Sequence, residues 1–312
     1  APAALALYAL CGALVGLGRS RALLAVQLLL NGLNAALDVY LAGVLEMGAY
    51  GIGLGTAIAE WSACVIAALL VWRILRERHA DTEPFLPWTR IGDRARLRRT
   101  LAANGDIMLR TLCLLAGFGL FARLGTALGA ATLAANHLLL QLVSFSAFFL
   151  DGFAFVVEAL VGAAVGANAR ERLRQAVRLS SELALATAVL LAGLLWLGGD
   201  ALVGLLTSLP EVVVLARAQL PWVAVYVLLS VAAFQLDGVF IGATRTREMR
   251  NAAMASLTAF VLCAWPATAA WGNHGLWAAL VLFVVARALA LLPYYRALER
   301  SLGGKPAASA SC

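Results

Sequence analysis

The 312-residue chain is 62% apolar and only 13% charged, with a mean hydropathy of +0.87. Soluble domains carry about 25% charged residues, so this chain has too little polar surface to coat a water-soluble globule. Its net charge of +7 sits in short basic loops between apolar runs, a topology signal rather than a nucleic-acid footprint. The five cysteines are scattered, with no CxxC, which argues against a disulfide framework or a metal centre.

A helix needs about 20 apolar residues to cross the hydrocarbon core. Nine runs meet or approach that length: 3–17, 22–45, 50–72, 101–122, 130–157, 179–198, 215–240, 251–271 and 275–297. An all-α polytopic membrane protein is therefore expected. The first run is short, and the fifth emerges at the interface near Val165.

The basic residues orient these spans. Loops at 18–21, 73–99, 167–178 and 242–250, with the tail from 296, hold twenty of the 24 Lys and Arg. The intervening loops hold only Arg123 and Arg217, while Arg110 and Arg287 lie inside spans. The asymmetry predicts a cytoplasmic C-terminus for a chain expected in an inner (plasma) membrane. Nine crossings would then leave Ala1 outside without a signal sequence, so a missing N-terminal part with an odd number of spans is expected.

An internal echo suggests the domain plan. Gly16 to Arg21 (GLGRSR) is answered by Gly242 to Arg247 (GATRTR), and Gly48 to Gly51 (GAYG) by Gly272 to Gly275 (GNHG). Two bundles entering the membrane in the same direction follow, a parallel repeat of the kind found in transporters. The expected division is 1–72 for three helices of a first lobe and 73–99 for a basic cytoplasmic linker. A six-helix second lobe over 100–300 and a tail over 301–312 complete it.

Polar residues inside spans are costly and mark functional candidates. In the second span Gln27, Asn31, Asn34 and Asp38 recur at spacings of 4, 3 and 4, one face of a helix. Asp38 stands about 25 Å along that helix from Arg21, and no basic residue of the span can neutralise it. A carboxylate among amides in low dielectric is suited to a proton or a monovalent cation, including a transient Na+. Thr56, in the Gly-rich GIGLGT of the third span, can add a hydroxyl. The alternative is that the amides are glue between helices and Asp38 pairs with a neighbour.

The fifth span carries His137, Gln141, Ser144, Asp151 and Glu158 at helical spacings. The fourth adds Asn104, Asp106 and Arg110, and the seventh Gln235 and Asp237. Asp106 and Arg110 can pair at i,i+4, or Arg110 can hold Asp151 or Glu158 in a network that organises the bundle or takes part in coupling.

Four motifs carry a resemblance. NGLNAALD (Asn31 to Asp38), LAANHLLLQL (Leu133 to Leu142), LDGFAFVVEALVG (Leu150 to Gly162) and FQLDGVFIGATRTREMRN (Phe234 to Asn251) together resemble the DinF-like branch of the multidrug and toxic compound extrusion (MATE) transporters. The resemblance runs to about Leu302 and implies helices four to twelve of a two-lobe, twelve-helix fold. It implies exchange of H+ or Na+ for organic, often cationic, compounds by rocking of the lobes, with no other cofactor, no nucleic-acid partner and a monomer. The family's cation site maps onto Asn34 and Asp38, with Thr56 beside them, while the acidic residue of the family's first helix has no counterpart here.

Three other readings stand beside it, of which a purely structural or scaffolding role would not require the polar stripes. A flippase for lipid-linked precursors shares the two-lobe plan, but would carry more cations in its cleft than Arg110 and Arg287. An intramembrane hydrolase would need a nucleophile–base pair, and about 10 Å of helix separates His137 from Ser144. No GxSxG or HExxH occurs in the chain.

Overall fold

The computed structural model describes residues 2–78 and 93–302. Within them lie α1 (Pro2–Gly16), α2 (Ser20–Asp38) with a π-helical extension (Val39–Val44), α3 (Gly48–Arg78), α4 (Arg94–Ala127), α5 (Ala130–Gly166), α6 (Arg170–Leu206), α7 (Pro210–Gly242) and α8 (Thr246–Ser301). Seven of these helical stretches are long and apolar enough to cross a membrane, and α1 is shorter. The chain is a multi-pass membrane protein.

The sequence reading placed two spans, 251–271 and 275–297, within the stretch of α8. The two accounts agree once Gly272 is considered, because its φ of 56° and ψ of −135° break the helix. Phe260 and Phe283 would stand about 34 Å apart on a straight helix, yet their ring centroids lie 5.4 Å apart. The arms 246–271 and 273–301 therefore fold back on each other, and Arg245 at one end bonds to Ser301 at the other.

One expectation is corrected. The stretch 73–99 is not a loop throughout: residues 73–78 continue α3, and 94–99 open α4. Most of its remainder (79–92), and the tail from 303, lie outside the described residues.

Two compact units divide at Arg94 and Ala95. In the first, Leu14, Val26, Ala63 and Ala67 form the centre of a small core joining α1, α2 and α3. In the second, α7 is the central helix, packed against α5, α6 and α8. Its core includes Phe121, Leu139, Phe240, Phe260 and the fully buried Trp277. The outward faces carry large apolar side chains such as Leu197 and Leu205, as expected where lipid is the solvent.

The turns repeat as well. The amides of Gly18 and Arg19 bond the carbonyls of Val15 and Leu14, and those of Thr244 and Arg245 bond Ile241 and Phe240 in the same way. Both are helix-ending turns with a left-handed residue, Gly18 at φ 69° and Thr244 at φ 56°. Gly48 and Gly272 likewise share a positive φ, 55° and 56°.

Candidate functional site

In the first unit the candidate site lies where α2 loses its regular pitch. The π-helical segment begins directly after Asp38, and Leu45 donates its amide to the carbonyl of Tyr40, five residues back. Such wide turns recur at functional sites because they displace a side chain from its regular azimuth. Against this stretch lie two glycines of α3, one turn apart. A β-carbon on Gly51 would sit 2.9 Å from the carbonyl carbon of Leu41, and one on Gly55 would sit 2.8 Å from Oδ1 of Asp38.

This close approach puts the carboxylate against Gly55, the residue before Thr56. Asn34 donates its side-chain amide to the Thr56 hydroxyl at 3.1 Å, and that hydroxyl donates to the carbonyl of Ile52 at 2.9 Å. Oδ1 of Asp38 is buried and has no hydrogen-bond partner among the described residues. The structure thus brings Asp38, Asn34 and Thr56 together. It leaves Asn31 apart, on an exposed position with its amide donated to the carbonyl of Gln27. Gln27 in turn reaches Cys11 of α1 at 3.7 Å.

The second unit holds a cavity of about 750 Å³ between α4, α5, α7 and the second arm of α8. Phe118, Phe148, Phe155 and Phe234 contribute apolar walls. His137, Gln141, Asp151, Glu158 and Asp237 line the same space as Arg110 and Arg287. The acid that both arginines face is Asp237, whose Oδ2 accepts from Arg110 and lies 3.7 Å from Nη2 of Arg287. Glycines again set the approach: β-carbons on Gly238 and Gly242 would strike the carbonyl oxygens of Ala154 and Glu158.

Two expected pairings are corrected here. Arg110 bonds neither Asp106 nor Asp151 nor Glu158 among the contacts resolved; it is held by Asp237 on another helix. Asp106 instead accepts from Arg250 at 2.7 Å and from the Thr246 hydroxyl at 3.1 Å. It therefore anchors α4 to the start of α8 and lies outside the cavity lining. Gln235 also sits apart, its amide oxygen 3.0 Å from the Ser180 hydroxyl.

Sequence reasoning overlooked a third cluster. Asn136 and Asn273 exchange amide hydrogen bonds of 2.7 and 2.9 Å, and Trp277 donates its indole N–H to Asn136. This clasp ties the kink of α8 to α5. The available signal was that Asn136 falls in phase with Thr132, Leu139, Val143 and Ser146, the buried face of α5.

Comparison with known proteins decides the family. The family model MatE matches residues 107–265, just over half of the chain. The chain belongs to the MatE family. DNA damage-inducible protein F of Escherichia coli K12 is 39% identical over 298 residues, covering 95% of this chain and 63% of its own length. The probable multidrug resistance protein NorM of Xanthomonas campestris pv. campestris is 29% identical over 279 residues, 83% of this chain and 57% of that protein. The MATE transporter VcmN of Vibrio cholerae, in its bent form, superposes with a TM-score of 0.82 at 20% identity. That match covers 95% of this chain and 66% of VcmN, and speaks for the fold alone. This chain spans less than two thirds of the length of these relatives. MATE proteins are transporters rather than enzymes, so the cavity and the acid at Asp38 call for a transport reading.

Proposed function

We propose that this chain forms part of an ion-coupled antiporter that exports organic, often cationic, compounds by alternating access. The observation that carries the reading is Asp38: a carboxylate with a buried, unpartnered oxygen, at the start of a π-helical turn and beside the Asn34–Thr56 bond. An acid so placed gains a partner by taking up H+ or Na+. Binding of the ion from outside removes the charge, alters packing between α2 and α3, and lowers affinity for the exported compound. Only unequal binding to two states is needed for such coupling. The first unit is the remainder of the ion-binding lobe and the second is the other lobe, with the C-terminus in the cytoplasm of a bacterial cell and the protein acting as a monomer.

The cavity of the second unit supplies an apolar, aromatic wall with two further acids, Asp151 and Glu158, suited to an organic cation. Arg110 and Arg287 are engaged by Asp237 well away from solvent, which weakens the flippase reading because a pyrophosphate would have to displace a buried carboxylate from them. Efflux of an organic cation from proteoliposomes under an imposed pH or Na+ gradient tests the proposal. Efflux by the full-length protein that ignores both gradients would overturn it.

A further inference from the structure

Away from the cavity, α6, α7 and the second arm of α8 enclose a groove that the transport reading does not use. It has two compartments of about 440 and 400 Å³ that share Val177, Ser181 and Tyr295 and so run into each other. The outer compartment is lined by Glu171, Arg174, Gln175 and Arg178, near the N-terminal end of α6. The inner one is apolar, lined by Leu185, Leu228, Ala232, Leu236 and Leu292 among others. From Arg174 to Leu185 the helix rises about 16 Å, close to the depth of one leaflet's hydrocarbon, ~15 Å.

A second feature points to an occupant. Gln235 lines the inner compartment, is 3% exposed, and keeps its amide nitrogen without a hydrogen-bond partner. The Ser180 hydroxyl has one proton and faces both the Phe153 carbonyl at 3.1 Å and Oε1 of Gln235 at 3.0 Å. In either orientation of the amide, one polar atom of Gln235 is left for something that is not protein. A purely apolar filling would leave that atom unsatisfied.

We propose that this groove binds one phospholipid with a zwitterionic, primary-ammonium headgroup, of the phosphatidylethanolamine class. The argument is charge complementarity at the mouth. Arg174 and Arg178 can approach a phosphate, while Glu171 lies within the same compartment to meet an ammonium. Arg174 and Arg178 also contact Glu299 and Glu182, so the mouth has no large surplus of positive charge to favour a purely anionic lipid. An acyl chain fills the apolar compartment, and the glycerol ester region meets Gln235, less than two turns of α7 from its cytoplasmic end.

Native mass spectrometry of the purified full chain, given equimolar dioleoyl phosphatidylethanolamine, phosphatidylglycerol and phosphatidylcholine, tests this. One retained phosphatidylethanolamine per protein is expected, favoured over phosphatidylglycerol by about fivefold, the effect of one charge contact near a membrane surface. Phosphatidylcholine should lag because its quaternary ammonium has no N–H to donate. Glu171→Gln, at an exposed position, should erase the preference between phosphatidylethanolamine and phosphatidylglycerol. Ala232→Trp should plug the groove and remove the adduct; Leu185→Trp, replacing a side chain 49% exposed, does the same should the first variant fail to fold. Equal retention of the three lipids by the wild type, an unchanged preference in Glu171→Gln, or an adduct that survives a folded plug variant would each overturn the assignment.

Discussion

The hairpin formed by α2 and α3 and the hairpin formed by the two arms of α8 follow one plan but carry opposite charges. Gly51 approaches the backbone at Leu41 and Ala42, and Gly275 approaches it at Ala267 and Thr268. These pairs are related by the same offsets of 224 and 226 residues that relate the sequence echoes. On that correspondence Asp38 falls on Ala264, while Arg287 falls on Ala63, and both alanines are fully buried. One hairpin thus presents an acid with no ion-pair partner seen among the described residues, the other a cation whose acid, Asp237, comes from α7. A shared scaffold with exchanged charges separates an acid with a buried, unpartnered oxygen from one held by two guanidinium groups.

The largest effect should come from Asp38→Asn in the full-length protein. The amide keeps the size and fixes the neutral state, and no ion-pair partner is lost, because none is seen among the described residues. Efflux driven by a pH or Na+ gradient should fall to background while the melting temperature in detergent stays within a few degrees of wild type. Gradient-driven efflux at normal rates would remove Asp38 from the mechanism.

Asp237→Asn should do the reverse. It leaves Arg110 and Arg287 buried without their carboxylate, and breaking a buried pair from one side costs roughly 3–5 kcal/mol. A marked drop in melting temperature is expected, and replacing Arg110 by Met in the same chain should recover part of it. If Asp237→Asn melts like wild type but loses ion coupling, the coupling and structural roles proposed for the two acids must be exchanged.

What was legible beforehand follows a simple division. Patterns along one helix could be read: the spans from hydropathy, the stripe of Asn34 and Asp38 from its spacing, the α8 turn from Gly272 and Gly275. Partners across helices could not. Asp106 and Arg110 stand one turn apart on α4, so the sequence offered them to each other, yet each is satisfied by a different helix. Arg287 was visible as a charge within a span, but nothing along its own helix ties it to Asp237. The π-helical turn after Asp38 was equally silent, since VYLAGV holds no proline and its single glycine occurs in ordinary spans too.

The glycines allow a finer cut. A methyl on Gly242 would meet backbone, the carbonyl of Glu158, which cannot swing aside. Gly242→Ala should therefore destabilise the second unit by about 1–3 kcal/mol. A methyl on Gly55 would meet the carboxylate of Asp38, a side chain that can move. The Leu37 Cβ, at 3.2 Å, must also give slightly, so Gly55→Ala should cost less stability than Gly242→Ala while shifting the ion dependence of efflux several-fold. Equal losses of stability in the two variants would show that both glycines serve packing alone.

The smallest effect concerns a second acid under two arginines, this time at the surface end of α8. Glu299, just beyond the last apolar run, faces Arg170 and Arg174. The hydrogen bond from Arg174, aided by Arg170, holds its carboxyl below the usual glutamate range, against the opposing pull of burial. A depressed value means that the pair stabilises the fold above the unfolded glutamate value, about 4.3, and that this contribution is lost as the pH falls through the folded value. Glu299→Gln should lower stability at pH 7 by no more than about 1 kcal/mol, since surface pairs are screened by solvent. Its difference from wild type should shrink steadily below about pH 4.3. Melting curves of both proteins between neutral and acid pH measure that closing gap. A loss as large as that of Asp237→Asn would mean that burial does not set the strength of the two-arginine arrangement. A gap that persists at acid pH would instead assign the Glu299 effect to packing rather than to charge.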